Sequence, residues 1–99
     1  MAERRKAIVI NEKDNVATAL EPIEGGTTVS VAHGGLTKSV RLPSPIPAGH
    51  KFALCEIKVG EYLIKYGEPI GQAFNRIGTG EHVHVHNVRS VGKKEKDAQ

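Results

Sequence analysis

One short pattern occurs four times in this chain and limits what it can become. Ile23-Glu-Gly-Gly26, Ile46-Pro-Ala-Gly49, Ile57-Lys-Val-Gly60 and Ile77-Gly-Thr-Gly80 are each followed, three residues on, by an apolar residue: Val29, Phe52, Leu63 and Val83. Read as Ile-x-x-Gly-x-x-apolar, the pattern anchors an isoleucine in a core and turns the chain. Its glycine can take the positive φ that tight turns often require, and the chain then re-enters as a strand. Successive copies lie 23, 11 and 20 residues apart, which is too irregular for a solenoid. Short strands between frequent turns describe a compact all-β fold.

The stretches between the turns mostly alternate with period two. Strands are expected at 7–10, 16–20, 28–32, 37–42, 61–66, 70–74 and 82–88, with Asp14 offering a helix cap as an alternative reading at 16–20. His33-Gly34-Gly35-Leu36 reads as a hairpin turn with His33 in the loop, and Gly67-Glu68-Pro69 as another turn. Three prolines within 43–47 make that segment an extended connection. No stretch shows an amphipathic helical face over ten residues. With 38% apolar residues, 4% aromatic and no tryptophan, the core must be built from Val, Ile, Leu and Ala and will be thin. Part of its apolar surface is therefore expected against another subunit, a homo-oligomer being one possibility. The domain is expected over 7–90, between a basic tail at 1–6 and a charged tail at 91–99.

The net charge of +3 belongs to the ends. Residues 1–6 and 91–99 hold six Lys/Arg against three acids, while 7–90 holds eight of each. A nucleic-acid binder places a basic stripe on its folded surface, often with aromatics, and this body has neither. The sequence thus argues against nucleic acid. Cys55 is a single cysteine in the apolar run Phe52-Ala53-Leu54-Cys55 and reads as a buried, inert thiol in a reducing, cytoplasmic compartment. The start of the chain has only four apolar residues after its charges, so it reads as neither a signal peptide nor a membrane span.

Chemistry concentrates in Gly80-Glu-His-Val-His-Val-His-Asn87, which holds three of the five histidines. On an extended strand His82, His84 and His86 share one face, with Val83 and Val85 inward. The outer two would then stand about 13 Å apart, so one ion could take two of them more easily than three. Three readings stay open: a solvated sheet face, a polar subunit interface, and a metal or acid–base site. Asn87 can add an amide, and His50-Lys51 follows Gly49 at a turn where both could project into a cleft. There is no cysteine pair for zinc, no phosphate loop and no serine elbow. Any site in this chain looks incomplete.

Four motifs in register point further. Asp14-Asn-Val-Ala-Thr-Ala-Leu20, Gly49-His-Lys-Phe-Ala-Leu54, Lys65-Tyr-Gly-Glu-Pro-Ile-Gly71 and the histidine segment together resemble the SAF-type (antifreeze-like, β-clip) module of the altronate and galactarate dehydratases. The resemblance implies a small β-clip barrel of short strands and tight turns. It also implies a stand-alone small subunit that works with a separate large subunit on an anionic sugar acid, eliminating water to leave a 2-keto-3-deoxy acid. The alpha subunit of a sulfolactate sulfo-lyase is the alternative, and a non-enzymatic SAF-type binding or assembly module a third. A divalent metal, iron(II) or manganese(II), is implied as cofactor. On this resemblance His82, His84 and His86 are candidates for catalysis, His84 and His86 for metal binding, and Asp14, Asn15, His50, Lys51 and Asn87 for substrate binding.

Overall fold

The computed structural model describes residues 6–90 and contains strands and turns without a helix among them. The expected tails lie outside the described residues, apart from Lys6, whose carbonyl accepts from the Leu20 amide at 2.7 Å. Nine strands form three antiparallel sheets: β1 (Ala7–Ile8), β2 (Val16–Ala19), β3 (Thr28–His33), β4 (Leu36–Arg41), β5 (Lys51–Ala53), β6 (Tyr62–Lys65), β7 (Glu68–Ala73), β8 (His82–Val83) and β9 (Val88–Ser90). The central sheet runs β1-β2-β5-β8; β3-β4 is a separate hairpin, and β6-β7-β9 forms the third sheet.

The four turns behave as their pattern demands. Gly26, Gly49, Gly60 and Gly80 have φ between 83° and 91°. The turns close through amides of Thr27, His50, Glu61 and Glu81 donating to the carbonyls of Glu24, Pro47, Lys58 and Gly78 at 2.9–3.3 Å. Positive φ at the third turn position is type II geometry, where glycine carries no steric cost. Gly80 has a second reason: a β-carbon there would collide with the Arg41 carbonyl oxygen. The turn isoleucines pair with one another, Ile23 with Ile46 and Ile57 with Ile77, in two isolated antiparallel bridges. All four are buried.

Each bridge belongs to its own core. Strands β2 and β5 alternate across the central sheet, sending Ala17, Ala19 and Phe52, with Leu54 just after β5, to one side and Val16 and Ala53 to the other. The first side packs with Ile23 and Ile46 under Val29, Val31 and Val40 of the β3-β4 hairpin. The second packs with Ile57 and Ile77 against Leu63 and Ala73 of the third sheet and Val83 of β8. The two halves correspond: a central strand, an isoleucine turn, a hairpin, a second isoleucine turn and a central strand, with β5 closing the first half and opening the second.

Several sequence expectations change. The strand expected at 82–88 is broken, because a turn at 84–87 separates β8 from β9. Val85, expected inward, is 77% exposed on that turn. Cys55 is exposed rather than buried, since β5 ends at Ala53 and the chain bends outward before Ile57 re-enters the core. His33 ends β3 instead of lying in the loop, with its Nε2 2.8 Å from the Glu12 carbonyl. Pro69 lies inside β7, on the stretch beyond the reach of β9, where no ladder amide is missed. The segment at 16–20 is a strand, not a capped helix.

Candidate functional site

The second and fourth turns deliver the site. Each feeds a short central strand, and β5 and β8 lie side by side with Lys51 opposite Val83 and Phe52 opposite His82. Phe52 and Val83 are buried and hold the two strands to the cores. Glu61 and Glu81 end their own turns and cap them, accepting from the Lys58 amide at 2.8 Å and the Gly78 amide at 2.7 Å. His50 stands at the equivalent place in the second turn, and its ring bonds elsewhere: His50 Nδ1 lies 2.8 Å from His82 Nε2, so one ring donates and the other accepts.

Two further imidazoles join this pair. The His84 ring stacks on His50 at 4.5 Å between centroids and 13° between planes, and lies 5.6 Å from His82. His86 is brought back to 5.3 Å from His82. On a straight strand it could not approach so closely. The turn at 84–87 does this, and Asn87 holds the turn: its Oδ1 accepts from the His84 amide at 3.0 Å, and its Nδ2 donates to the His82 carbonyl at 2.9 Å. Asn87 is itself buried. Alternation therefore holds over His82–His84 and fails after it.

Electrostatics favour a neutral ring at His82. His82 is held below its ordinary value of 6.5, first by burial and then by His50, His86, His84 and Lys51. Lys51 is also lowered, by burial first and by Lys65 second. No carboxylate of the described residues pairs with Lys51, whereas the exposed Arg76 pairs with Glu56. Lys51 is thus a half-buried amine that shares the side of Val83, while His82 shares the side of Phe52.

The remaining candidates lie at the far end of β2. Thr18 pairs with Lys51 and the Ala19 amide donates to the His50 carbonyl, while Asp14 and Asn15 stand before β2 begins. Asp14 is buried and accepts from the Asn11 amide at 3.0 Å and the Gly67 amide at 2.8 Å. Asn15 accepts from the Ile64 amide at 2.8 Å and donates to the Tyr62 carbonyl at 2.9 Å. Both side chains clamp the β6-β7 hairpin. Among the described residues no three His, Cys, Asp or Glu side chains are placed to hold one metal ion. The imidazoles stack and share a hydrogen bond where ligands would converge their lone pairs. As arranged, they do not fit a metal centre of their own.

Comparison with known proteins places the chain. The family model for the altronate/galactarate dehydratase SAF domain matches residues 5–91. The altronate dehydratase of Escherichia coli (strain K12) is 47% identical over 83 residues, which cover 84% of this chain and 16% of that protein. That of Bacillus subtilis (strain 168) is 42% identical over the same shares. The (2R)-sulfolactate sulfo-lyase subunit alpha of Chromohalobacter salexigens is 34% identical over 86 residues, covering 83% of this chain and 92% of the subunit. This chain thus spans about a sixth of the altronate dehydratases and nearly the whole of the lyase subunit.

Proposed function

This chain belongs to the SAF domain family of the altronate and galactarate dehydratases, and on that premise we propose that it serves a sugar-acid dehydratase as a small subunit completed by a larger chain. The observation that supports this most is the meeting of His50, His82, His84 and His86, with Lys51 near enough to act on the charge of His82. Dehydration of a sugar acid removes the proton at C2, beside the carboxylate, and expels the C3 hydroxyl as water. The resulting enol becomes a 2-keto-3-deoxy acid. Such a reaction needs a neutral base, an acid for the leaving hydroxyl and positive charge for the carboxylate.

The chain has groups for part of this. His82, kept neutral near pH 7, is available to take a proton, and its bond to His50 orients it. Lys51, without a carboxylate partner among the described residues, offers positive charge for the substrate carboxylate from the side opposite His50. Asp14, Asn15 and Asn87 enter as residues that shape the hairpin and the histidine turn. Iron(II) or manganese(II), implied by the family, would supply charge stabilisation of the enediolate when bound. Its main ligands would come from the larger chain, with exposed His84 and His86 the two residues here free to reach it.

The second reading is the alpha subunit of a sulfolactate sulfo-lyase, favoured by the near-complete coverage of that subunit. Co-expression with the larger chain, followed by assay on altronate, galactarate and sulfolactate, separates the two. The dehydratase reading expects turnover of a sugar acid. Turnover of sulfolactate alone replaces it with the second reading, and a complex inactive on all three leaves a binding or assembly module. Within an active complex, His82→Gln, His84→Gln and His86→Gln tested singly decide the site. Wild-type activity and metal content in all three would reduce the histidine face to scaffolding.

A further inference from the structure

Strands β8 and β9 are neighbours in sequence but belong to different sheets. Strand β8 pairs with β5 and β9 with β7, so the chain crosses from the central sheet to the third at the bend of 84–87. A cavity of about 360 Å3 lies there, lined from both sheets. Leu63, Ile70, Val83 and Val88 give it apolar walls, and Lys51 and Ser90 bring polar groups to it. Leu63 and Val83 belong to the second core, and Ile70 and Val88 pack against it. The cavity is a notch in the edge of that core with an amine beside it.

Lys51 is placed there by register. It stands opposite Val83, on the side of the sheet that faces the second core, whereas Phe52 faces the first. Its side chain is half-buried, yet no carboxylate of the described residues pairs with it. The more exposed Arg76 does have such a partner, in Glu56. A cation withdrawn from water without a partner is costly, and an amine answers by giving up its proton more readily. Lys65 on β6 acts in the same direction through its charge. Apolar surroundings and a second cation are the two conditions that make a lysine a nucleophile toward carbonyl groups.

We propose that Lys51 forms an imine with a 2-keto acid held in this cavity. The amine nitrogen attacks the keto carbon, the carbonyl pair moves to oxygen, and one proton passes from nitrogen to oxygen. The nitrogen pair then expels the hydroxyl, which takes the second nitrogen proton and leaves as water, and C=N remains. No oxidant or reductant enters. Lys65 supplies charge for the adjoining carboxylate while Lys51 is uncharged. The cavity lies at the lower end of small-molecule sites, which run from about 300 to 1,000 Å3, and so suits a small acid. The ligand class rests on the sugar-acid reading above, in which dehydration turns the carbon next to the carboxylate into a ketone. The ammonium form of Lys51 meets the hydroxy acid, and its free amine meets the keto acid. The imine retains that product until water reverses it.

Pyruvate with sodium cyanoborohydride tests this on the full chain, with the modified lysine located by mass spectrometry of its peptides. Cyanoborohydride reduces C=N to a stable amine. At pH 7 Lys51 is expected to react about tenfold or more faster than the exposed Lys13 and Lys58. Labelling of Lys51 no faster than theirs overturns the proposal. Lys65→Met keeps most of the side-chain stem and removes the second cation. It is expected to slow labelling of Lys51 by pyruvate about threefold or more, and labelling by propanal, which has no carboxylate, by less. Unchanged pyruvate labelling in that variant overturns the ligand class. The result separates from the sugar-acid reading. Selective labelling of Lys51 in a chain whose complex dehydrates no sugar acid keeps the imine and overturns that reading, and unselective labelling with an active complex does the reverse.

Discussion

His82 shows how far one side chain can be steered by its neighbours. Burial and the facing imidazoles hold its pKa below 6.5. The unfolded chain therefore binds more protons than the folded one between that lowered value and 6.5. Stability from this residue is complete above 6.5 and is lost as the pH falls from there toward the folded pKa. Urea midpoints measured from pH 7.5 to 5 should fall for the wild type, and His82→Gln should flatten that decline. An identical pH slope in the variant would remove His82 as its source. Asp14 is a different case. Two amides depend on its buried carboxylate, and Asp14→Ala leaves both without an acceptor. The expected loss is about 2–3 kcal/mol in chemical denaturation, and a change below about 0.5 kcal/mol would contradict the clamp. In the sequence Asp14 and Asn15 look like any exposed polar pair. Apart from the Asn11 amide, their backbone partners lie about fifty residues away, which no local pattern reports.

The turn isoleucines make the case at the level of elements. Each ends up fully or nearly buried and bridged to another turn, so each is a core residue as well as a turn residue. Ile77→Ala should cost about 2–5 kcal/mol, whereas Ile10→Ala, at a 43% exposed site, should cost within about 0.5 kcal/mol. Thermal or urea unfolding of the two variants checks the contrast, and equal losses would refute the bridge. The histidine segment carries the opposite lesson. Its period-two pattern is a sound strand signal only while the chain stays extended. Asn87 supplies side-chain bonds that replace a ladder and bend the segment at His84. The candidacy of His50 can also be read from the turns themselves. It stands where Glu61 and Glu81 close their turns, and a turn-closing residue of another type is free for other use.

Across the whole molecule, two similar halves share β5 and enclose separate cores. Ile23 and Ile57 lie 34 residues apart, and Ile46 and Ile77 lie 31. The repeat is visible only when the first turn is compared with the third and the second with the fourth. The site forms where corresponding turns of the two halves meet, and on the proposed subunit reading it holds only part of what a dehydration needs. The isolated chain is therefore expected to show no dehydratase turnover with iron(II) or manganese(II) added, and activity should appear on assembly with the larger chain. Steady turnover by the pure single chain would overturn the subunit reading.

Composition, glycine-marked turns and alternating valines were enough to specify an all-β chain, the positions of its turns and most of its strands. Those features act over a few residues, through steric limits on φ and the two faces of a strand, so they are written locally. The histidines were legible as chemistry for the same reason, since residue type and spacing are local. Their arrangement was not. The approach of His50 to His82, the return of His86 and the commitment of Asp14 and Asn15 to a hairpin depend on which strands pair and where the chain bends. Pairing is decided by burying two cores at once, and that is a property of the assembled fold.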